Sequence, residues 1–274
     1  MLQNKYPASP LTVFDSFLKH RELIVQLAKR EVIGRYRGSV MGVLWSLVHP
    51  LLMLGVYMFV FHVVLEAPEN THADTSAEFA AKLFAGLIVY WVFAECVTRA
   101  PGLVVNNVNY VKKVVFPLEI LPWVSLASAL FHAGVSVGVL LLFYGVIHLS
   151  LHWTVVLFPA LLLPLTLFAL GASWFLASIA VFVRDVGQVI GILTSLMLFL
   201  SPVFYPMSAI PESYRAFLYL NPLTLVVEQA RNVLVDGEPP SWQGLGIYFM
   251  CSVLVAWLGL CWFQKTREGF ADAL

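Results

Sequence analysis

The sequence is poor in charge. Only 12% of its 274 residues are Asp, Glu, Lys or Arg, against about 25% in an ordinary soluble chain. The 16 basic and 16 acidic residues cancel, so no net field points to nucleic acid or to an acidic partner. The stretch from Ile120 to Val183 has no charged residue at all. A soluble domain of this size could not cover its apolar interior with so few charges.

Motifs of catalysis and metal binding are also missing. No GxxxxGK[ST], HExxH or GxSxG occurs, so we expect a non-catalytic chain without its own P-loop ATPase. Cys96, Cys251 and Cys261 lie in apolar runs without CxxC spacing, which predicts neither a disulfide framework nor a metal site. His148 and His152 have the i, i+4 spacing of metal ligands but straddle a predicted turn. We therefore expect no metal.

Proton-coupling residues are scarce. His132, inside an apolar run without acids, is better explained as a buried hydrogen-bonding residue than as a proton relay. Glu95 stands one helical turn before Arg99, which predicts an internal ion pair. Ion-coupled transport thus lacks its usual machinery.

What the chain has instead is apolar length. Apolar residues make up 60% of it and aromatic residues 14%, and the mean hydropathy is +0.84. A membrane helix needs about 20 apolar residues, and six runs qualify, at about 40–65, 79–98, 120–147, 153–183, 186–207 and 243–263. They are apolar throughout, without the alternation of barrel strands. The sequence predicts an all-α integral membrane protein with six spans.

Basic residues set the orientation, because Lys and Arg concentrate on the cytoplasmic side. With the N-terminus inside, three basic residues fall outside: Lys82, Arg215 and Arg231. Thirteen fall inside: Lys5, Lys19, Arg21, Lys29, Arg30, Arg35, Arg37, Arg99, Lys112, Lys113, Arg184, Lys265 and Arg267. Both termini are predicted to be cytoplasmic.

Two segments outside the spans have helical patterns. Residues 20–37 favour a basic amphipathic helix on the inner leaflet, although Glu31 and Arg35 interrupt its apolar side. The alternative is a solvated leader whose bases only set topology. Residues 103–117 are either a short helix presented to a cytoplasmic partner or a plain basic connector.

The outer segment 208–242 is apolar enough to enter the membrane but is broken at Asn221-Pro222. Asn is a good N-cap and Pro suits a first helical turn, so two short helices should meet there. A full seventh span would move the basic C-terminus outside, so a re-entrant helical hairpin is the better account. Glu228 and Arg231 share a helix face, as a local ion pair or at the mouth of a pathway.

Aromatic residues are plentiful, and two interpretations remain open. They form interfacial belts in any membrane protein. Alternatively, some line a path for sugar rings, because aromatic faces stack on the apolar faces of carbohydrates. The candidates for channel lining are Trp45, Tyr57, Phe199, Phe204 and Tyr205.

Four motifs together resemble a known family. They are KREVIGRYRGSVMGVLWSLVHPLL at 29–52, KKVVFP at 112–117, VRDVGQ at 183–188 and SPVFYP…IPE…LNPLTLVVEQAR at 201–231. In this order they are similar to the membrane subunits of type 2 ABC exporters that move polysaccharides. The likeness runs from about residue 20 to the C-terminus. It is greatest to O-antigen (lipopolysaccharide) export permeases, with capsule and teichoic acid export permeases near.

The resemblance implies a homodimer in the cytoplasmic (inner) membrane, paired with two copies of a separate P-loop ATPase that carries ATP and Mg. No cofactor would lie on this chain. The substrate would be a polysaccharide on undecaprenyl diphosphate. By this likeness residues 20–37 are an interface helix and 104–116 a coupling helix. Spans one and five line the channel.

The same likeness suggests roles for single residues. ATPase coupling would involve Asn107, Tyr110, Lys112 and Lys113, and the lipid diphosphate would meet Lys29, Arg30, Arg35 and Arg37. The outer gate would contain Asn221, Pro222, Glu228 and Arg231. A drug or small-lipid exporter on the same fold is an alternative. A sugar-lipid transferase is less consistent with the sequence, because the acids of segment 208–242 are scattered.

Overall fold

The computed structural model of the chain describes residues 12–60, 76–112 and 116–274. Within these ranges every regular element is helical, which confirms the prediction of an all-α fold. The α-helices are α1 (Thr12–Arg35), α2 (Trp45–Phe59), α3 (Ser76–Val105), α4 (Val108–Val111), α5 (Leu121–His148), α6 (Phe158–Phe182), α7 (Val186–Leu200), α8 (Glu212–Leu218), α9 (Thr224–Arg231), α10 (Trp242–Thr266) and α11 (Phe270–Ala273). Short 3-10 turns precede α2, α5, α6, α8 and α11, and a π turn, Asn232–Asp236, follows α9.

Five helical segments of the described chain are long and apolar enough to cross a membrane. They are Gly42–Phe59, Ala77–Val105, Leu118–His148, Trp153–Phe182 and Trp242–Ala273. The chain turns between His148 and Trp153, where Leu149 takes a left-handed φ of 52°. The sequence predicted a turn between His148 and His152, and the structure confirms it.

The predicted span at 186–207 is helical over only part of its length. The sequence predicted a span over 186–207, but the helix ends at Leu200 and Ser201 is extended. Pro202 follows, and a proline disfavours helical backbone at the residue before it. At 1.5 Å per residue, the 15 residues of α7 reach about 22 Å, short of the roughly 30 Å of hydrocarbon.

Helix α3 occupies the centre of the bundle. It packs against α2, α5, α6, α7 and α9, and Ala81, Phe84 and Val89 are fully buried. A helix that is apolar on all sides is stable only when either other helices or lipid surround it. Here protein surrounds α3, so its side chains can position residues on five neighbouring helices.

Helices α6 and α10 approach each other closely at two glycines. A Cβ added to Gly171 would lie 2.5 Å from the carbonyl oxygen of Val255, and one added to Gly259 would strike the Gly171 backbone. Small residues allow such close approach in membranes, where association depends on packing and not on the exclusion of water. The two glycines therefore set the distance between these helices.

The helices alternate between two ends of the bundle. We call the end with Arg35, Arg99 and Arg267 the α1 end, and the end with Lys82 and Arg231 the α9 end. Helix α7 runs antiparallel to α3 from one end to the other: Gly187 faces Pro101, the hydroxyl of Tyr90 donates to the Thr194 carbonyl at 3.1 Å, and Val203 faces Gly86. With residues 201–203, α7 thus covers most of the depth that α3 covers.

Candidate functional site

Four charged side chains form a network where α1 meets α3. Arg99 pairs with Glu31 of α1 at 2.5 Å and with Glu95 of its own helix at 3.1 Å. Arg35 of α1 pairs with the same oxygen of Glu95. These side chains are between 17% and 39% exposed, so each charge is partly withdrawn from water and has an opposite charge against it.

The network has a simple sequence basis. Helix α1 carries Glu31 and Arg35, and α3 carries Glu95 and Arg99, so each helix has a Glu-x3-Arg step on one face. In an antiparallel pair, residue 31 meets residue 99 and residue 35 meets residue 95. The predicted Glu95–Arg99 pair is therefore half of a larger network. The two residues that interrupt the apolar side of α1 are the other half.

The apolar side of α1 packs on the start of α5. Ile24 and Ala28 form a buried cluster with Ile120 and Val124. The remaining bases predicted to hold the lipid diphosphate, Lys29, Arg30 and Arg37, are exposed and take part in no ion pair within the described ranges. Arg35 differs from them because Glu95 holds it.

A cavity of about 650 Å³ opens beside this network, between α1, α2, α3 and α5. Arg35 and Glu95 lie in its wall. The other lining residues are mainly aromatic or polar: Tyr36, Trp45, Ser46, His49, Pro50, Tyr90, Trp91, Ala94, Thr98, His132 and Ser136. His49 lies edge-on to Trp91 and Tyr36 edge-on to His132, with ring centroids 5.8 and 6.0 Å apart. The cavity therefore offers both ring faces and hydrogen-bonding groups.

The predicted coupling residues surround α4 at the α1 end. Tyr110 stacks on Phe116 with ring centroids 4.2 Å apart, and the Asn107 amide donates to the Leu103 carbonyl at 2.9 Å. Both side chains are half-buried, whereas Asn109 and Lys112 are exposed. Lys113 lies outside the described residues. Asn107 and Tyr110 therefore stabilise the connection between α3 and α5, which we call the α4 loop. Asn109 and Lys112 lie on its exposed surface.

Arg267 fastens the other side of this loop to the C-terminal helices. Its guanidinium contacts the Glu119 carboxylate at 2.6 Å and the Phe116 carbonyl at 2.8 Å. The Glu119 carbonyl accepts the indole N–H of Trp174 at 2.9 Å. Because Arg267 is only 12% exposed, this contact is well shielded. It joins the α3–α5 connection to α6 and α10.

At the α9 end, Arg231 binds backbone and not its predicted partner. Its guanidinium donates to the carbonyls of Val203, Lys82 and Tyr205 at 2.5, 3.2 and 3.3 Å. Burial lowers the pKa of Arg231, with Glu228 and Asp236 opposing the shift. The described residues contain no ion pair between Glu228 and Arg231. Arg231 thus ties α9 to α3 and to the segment after α7.

Glu228 accepts the hydroxyl of Tyr219 at 3.0 Å. Burial raises the pKa of its carboxyl, against the lowering effects of the Tyr219 hydrogen bond and the Arg231 charge. With Lys82, Tyr205 and Asp236 it lines a smaller cavity of about 230 Å³, where Lys82 and Asp236 pair at 2.8 Å. Glu228 is therefore a polar group held in a partly apolar setting.

The two short helices α8 and α9 flank Asn221 and Pro222. The Asn221 side chain accepts from the Leu223 N–H at 3.0 Å and donates to the Ser201 hydroxyl at 2.9 Å. It therefore shapes the turn and fastens it to the end of α7. Val226, Val227 and Ala230 of α9 are buried, whereas Phe217 and Leu220 are exposed.

The five aromatic residues predicted to line one path lie on several surfaces of the single chain. Trp45 faces the 650 Å³ cavity, Phe199 lies on an open groove along α7, and Tyr205 lines the smaller cavity. Phe204 packs against Phe199 with centroids 5.8 Å apart. Tyr57 is half-buried on α2. One chain does not bring all five together.

His148 and His152 both contact Tyr144: His148 stacks on its ring, and a ring nitrogen of His152 lies 3.2 Å from its hydroxyl. His148 also approaches Glu78 at 3.8 Å. In the part of the chain that the structure describes, no group of three or more His, Cys, Asp or Glu side chains is placed to hold a metal.

Comparison with known proteins decides the family. Residues 22–235 match the ABC-2 type transporter family, and this range covers most of the chain. The chain belongs to the ABC-2 type transporter family. It is 30% identical over 258 residues to the O-antigen export system permease protein RfbA of Myxococcus xanthus, covering 93% of this chain and 96% of the relative.

Other relatives match over similar lengths. An O-antigen export system permease protein RfbA of Klebsiella pneumoniae is 25% identical over 92% of this chain and 95% of its own length. The polysialic acid transport protein KpsM of Escherichia coli is 24% identical over 87% of this chain and 91% of its own length. The resemblance identified from the four motifs is confirmed. As an ABC-2 permease, the chain is membrane-embedded, and its family implies association with an ABC ATPase subunit.

Proposed function

We propose that the chain is the channel-forming permease subunit of an ATP-driven exporter for polysaccharide of the O-antigen type, carried on undecaprenyl diphosphate. The observation that carries the proposal is the match to O-antigen export permeases along nearly the whole chain. The sequence has no P-loop, so the energy would come from ATP hydrolysis on the partner subunit.

The topology we propose has six passes, with both termini in the cytoplasm. Helix α7 is short, but its contacts with α3 extend from Pro101 to Gly86, which supports a sixth pass completed by residues 201–207. The α1 end would be cytoplasmic, since most basic residues fall there. A locally thinner bilayer accommodates a short helix at modest cost.

The α8–α9 pair would be a re-entrant hairpin at the outer face. Broken backbone at membrane depth requires protein around it, and α9 meets this requirement because Val226, Val227 and Ala230 are fully buried. Asn221 and Pro222 form its turn, with Glu228 and Arg231 on its inner arm. We propose that this hairpin gates the outer end of the path.

Two permease chains would form the path together, with an ATPase bound to each. Exposed apolar side chains on α2 and α7, such as Leu52, Val56, Ile192 and Phe199, leave surfaces for a second copy and for lipid. The α4 loop would dock into the ATPase through Asn109 and Lys112. Arg267 would pass its displacement to α10.

Lys29, Arg30 and Arg37 would hold the diphosphate of the substrate. They are exposed at the proposed cytoplasmic face and are not paired with acids in the described ranges. Arg35 was predicted to bind the diphosphate together with these three residues. It pairs with Glu95 instead, and we propose that it stabilises the contact between α1 and α3.

Capsular polysaccharide is a second candidate substrate. It is favoured by the match to the polysialic acid transport protein KpsM, at lower identity than the match to RfbA from Myxococcus xanthus. The lipid carrier and the sugar repeat distinguish the two candidates.

The test is complementation in the cell from which the chain comes. Deleting the gene should abolish surface polysaccharide and leave lipid-linked polymer inside, and the wild-type chain should restore export. A variant with Lys29, Arg30 and Arg37 changed to Gln should restore little export. A matched control removes three exposed charges from the same end of the bundle at Lys19, Arg21 and Lys265.

Two results would contradict the proposal. One is unchanged surface polysaccharide after deletion. The other is loss of surface polysaccharide without lipid-linked polymer inside the cell, which would indicate a synthetic role. Analysis of the retained polymer would also separate O-antigen from capsule.

A further inference from the structure

The cavity between α1, α2, α3 and α5 has no assigned occupant. From its shape and chemistry we infer that it binds a sugar ring, the one nearest the diphosphate of the lipid-linked substrate. This inference rests on the proposed export function and goes further, because it places a carbohydrate site within each single permease chain.

The walls of the cavity combine aromatic faces with polar groups. Trp45 and His49 stand one turn apart on α2, facing Trp91 and Glu95, one turn apart on α3. A sugar ring has apolar C–H faces and a rim of hydroxyls, so it needs aromatic faces together with a few polar groups. The cavity supplies both, and its volume of about 650 Å³ falls within the roughly 300–1,000 Å³ of small-molecule sites.

The charges in the cavity wall favour a neutral ligand. The wall holds one guanidinium and one carboxylate, those of Arg35 and Glu95, which pair with each other, and Arg99 pairs with the same oxygen of Glu95. A diphosphate placed there would meet the Glu95 carboxylate, and an acyl chain would cover that carboxylate and two histidine rings with hydrocarbon, which is unfavourable. A neutral polyol suits the site, because it can accept from a guanidinium and donate to a carboxylate.

The cavity lies next to the residues proposed to hold the diphosphate. Arg35 and Tyr36 line the cavity, and the next residue, Arg37, is one of the exposed bases proposed to hold the diphosphate. A ligand whose phosphates rest on that base has its first sugar beside the cavity opening. Ala94, between Trp91 and Glu95 on the lining face of α3, is the small residue that leaves room for the ring.

The experiment measures binding to the purified complex of permease and ATPase in lipid nanodiscs. The probes are a short polyprenyl diphosphate carrying one N-acetylhexosamine, the same lipid diphosphate without sugar, and free N-acetylhexosamine. For the wild type we expect the sugar to increase affinity by about ten-fold or more over the bare lipid. The free sugar should compete weakly, which distinguishes a lipid-linked ligand from a soluble one.

Two variants remove the site in different ways. Ala94→Phe fills the cavity and Trp45→Ala removes one aromatic wall, and both should abolish the preference for the sugar-bearing lipid while the bare lipid still binds. Ala160→Phe makes the same substitution on an exposed surface of α6 and should keep the preference. Thermal unfolding of each variant checks that the complex is intact.

The inference is overturned if the wild type binds both lipids equally, or if Ala94→Phe keeps the preference. A phospholipid that copurifies in the cavity and is not displaced by the sugar-bearing lipid would also overturn it. These outcomes leave the export function standing when complementation succeeds. Unchanged surface polysaccharide after deletion of the gene would instead remove the export function itself.

Discussion

The network between α1 and α3 can be tested by exchanging charges without changing composition. In one variant Glu31 and Arg35 of α1 exchange places (E31R/R35E), and in another Glu95 and Arg99 of α3 do so (E95R/R99E). Each half exchange keeps the net charge and puts like charges against each other at both crossings. The full fourfold exchange restores opposite charges at every contact.

The size of the effect follows from the exposure of the side chains. An exposed ion pair contributes about 0.2–1 kcal/mol, whereas removing one partner of a fully buried pair costs about 3–5 kcal/mol. The network side chains are 17% to 39% exposed, so ~1 kcal/mol for each contact is reasonable after solvent screening. A half exchange turns two attractions into two repulsions and should destabilise the protein by about 2–4 kcal/mol.

The assay is unfolding of the purified complex in detergent, at low and at high salt. Both half exchanges should lower the unfolding temperature, and the loss should shrink as salt screens the repulsion. The fourfold variant should return most of the stability. A fourfold variant as unstable as either half, or a half exchange as stable as the wild type, would refute the cross-pairing of α1 with α3.

Three further predictions concern other contacts. Gly259→Ala places a methyl group against the Gly171 backbone and should cost about 1–3 kcal/mol of stability, whereas Gly246→Ala, with open space around it, should be tolerated in the same melting assay. Because burial raises the pKa of Glu228, its stabilising protonated form is lost as pH rises through that pKa. Relative to the Glu228→Gln variant, the wild type should therefore lose stability from about pH 4 upward. The measurement is the unfolding temperature of both proteins as a function of pH, and two parallel curves would contradict the prediction. Arg267→Gln should speed hydrogen exchange of residues 116–120, and Lys265→Gln, at an exposed neighbour, should not.

The class of fold could be predicted from the sequence alone. Apolar runs such as 153–183 identify membrane helices because lipid leaves a chain few other ways to satisfy its backbone. The end of α7 was missed because hydropathy continues through Val203 and Phe204, whereas the backbone responds to Pro202. At this point the helix-ending effect of the proline outweighs the high hydropathy of the residues that follow it.

The site was harder to predict, because its contacts join residues far apart in the chain. By spacing alone, Glu31 could pair with Arg35 and Arg99 with Glu95 inside their own helices, so only the repeated Glu-x3-Arg spacing signalled the network between helices. Arg231 binds carbonyl oxygens, which every residue has, so no residue type could mark its partners. The aromatic residues divide among several surfaces because helix rotation cannot be read from composition.

We propose that this chain transports only together with a separate subunit that hydrolyses ATP. Purification of the chain from its own membranes in mild detergent tests this directly. We expect a P-loop ATPase to copurify in equal amount, and we expect Lys112→Glu, on the exposed face of the α4 loop, to release it from an intact permease. A chain that purifies alone, folded and stable, with no nucleotide-binding partner, would contradict this proposal.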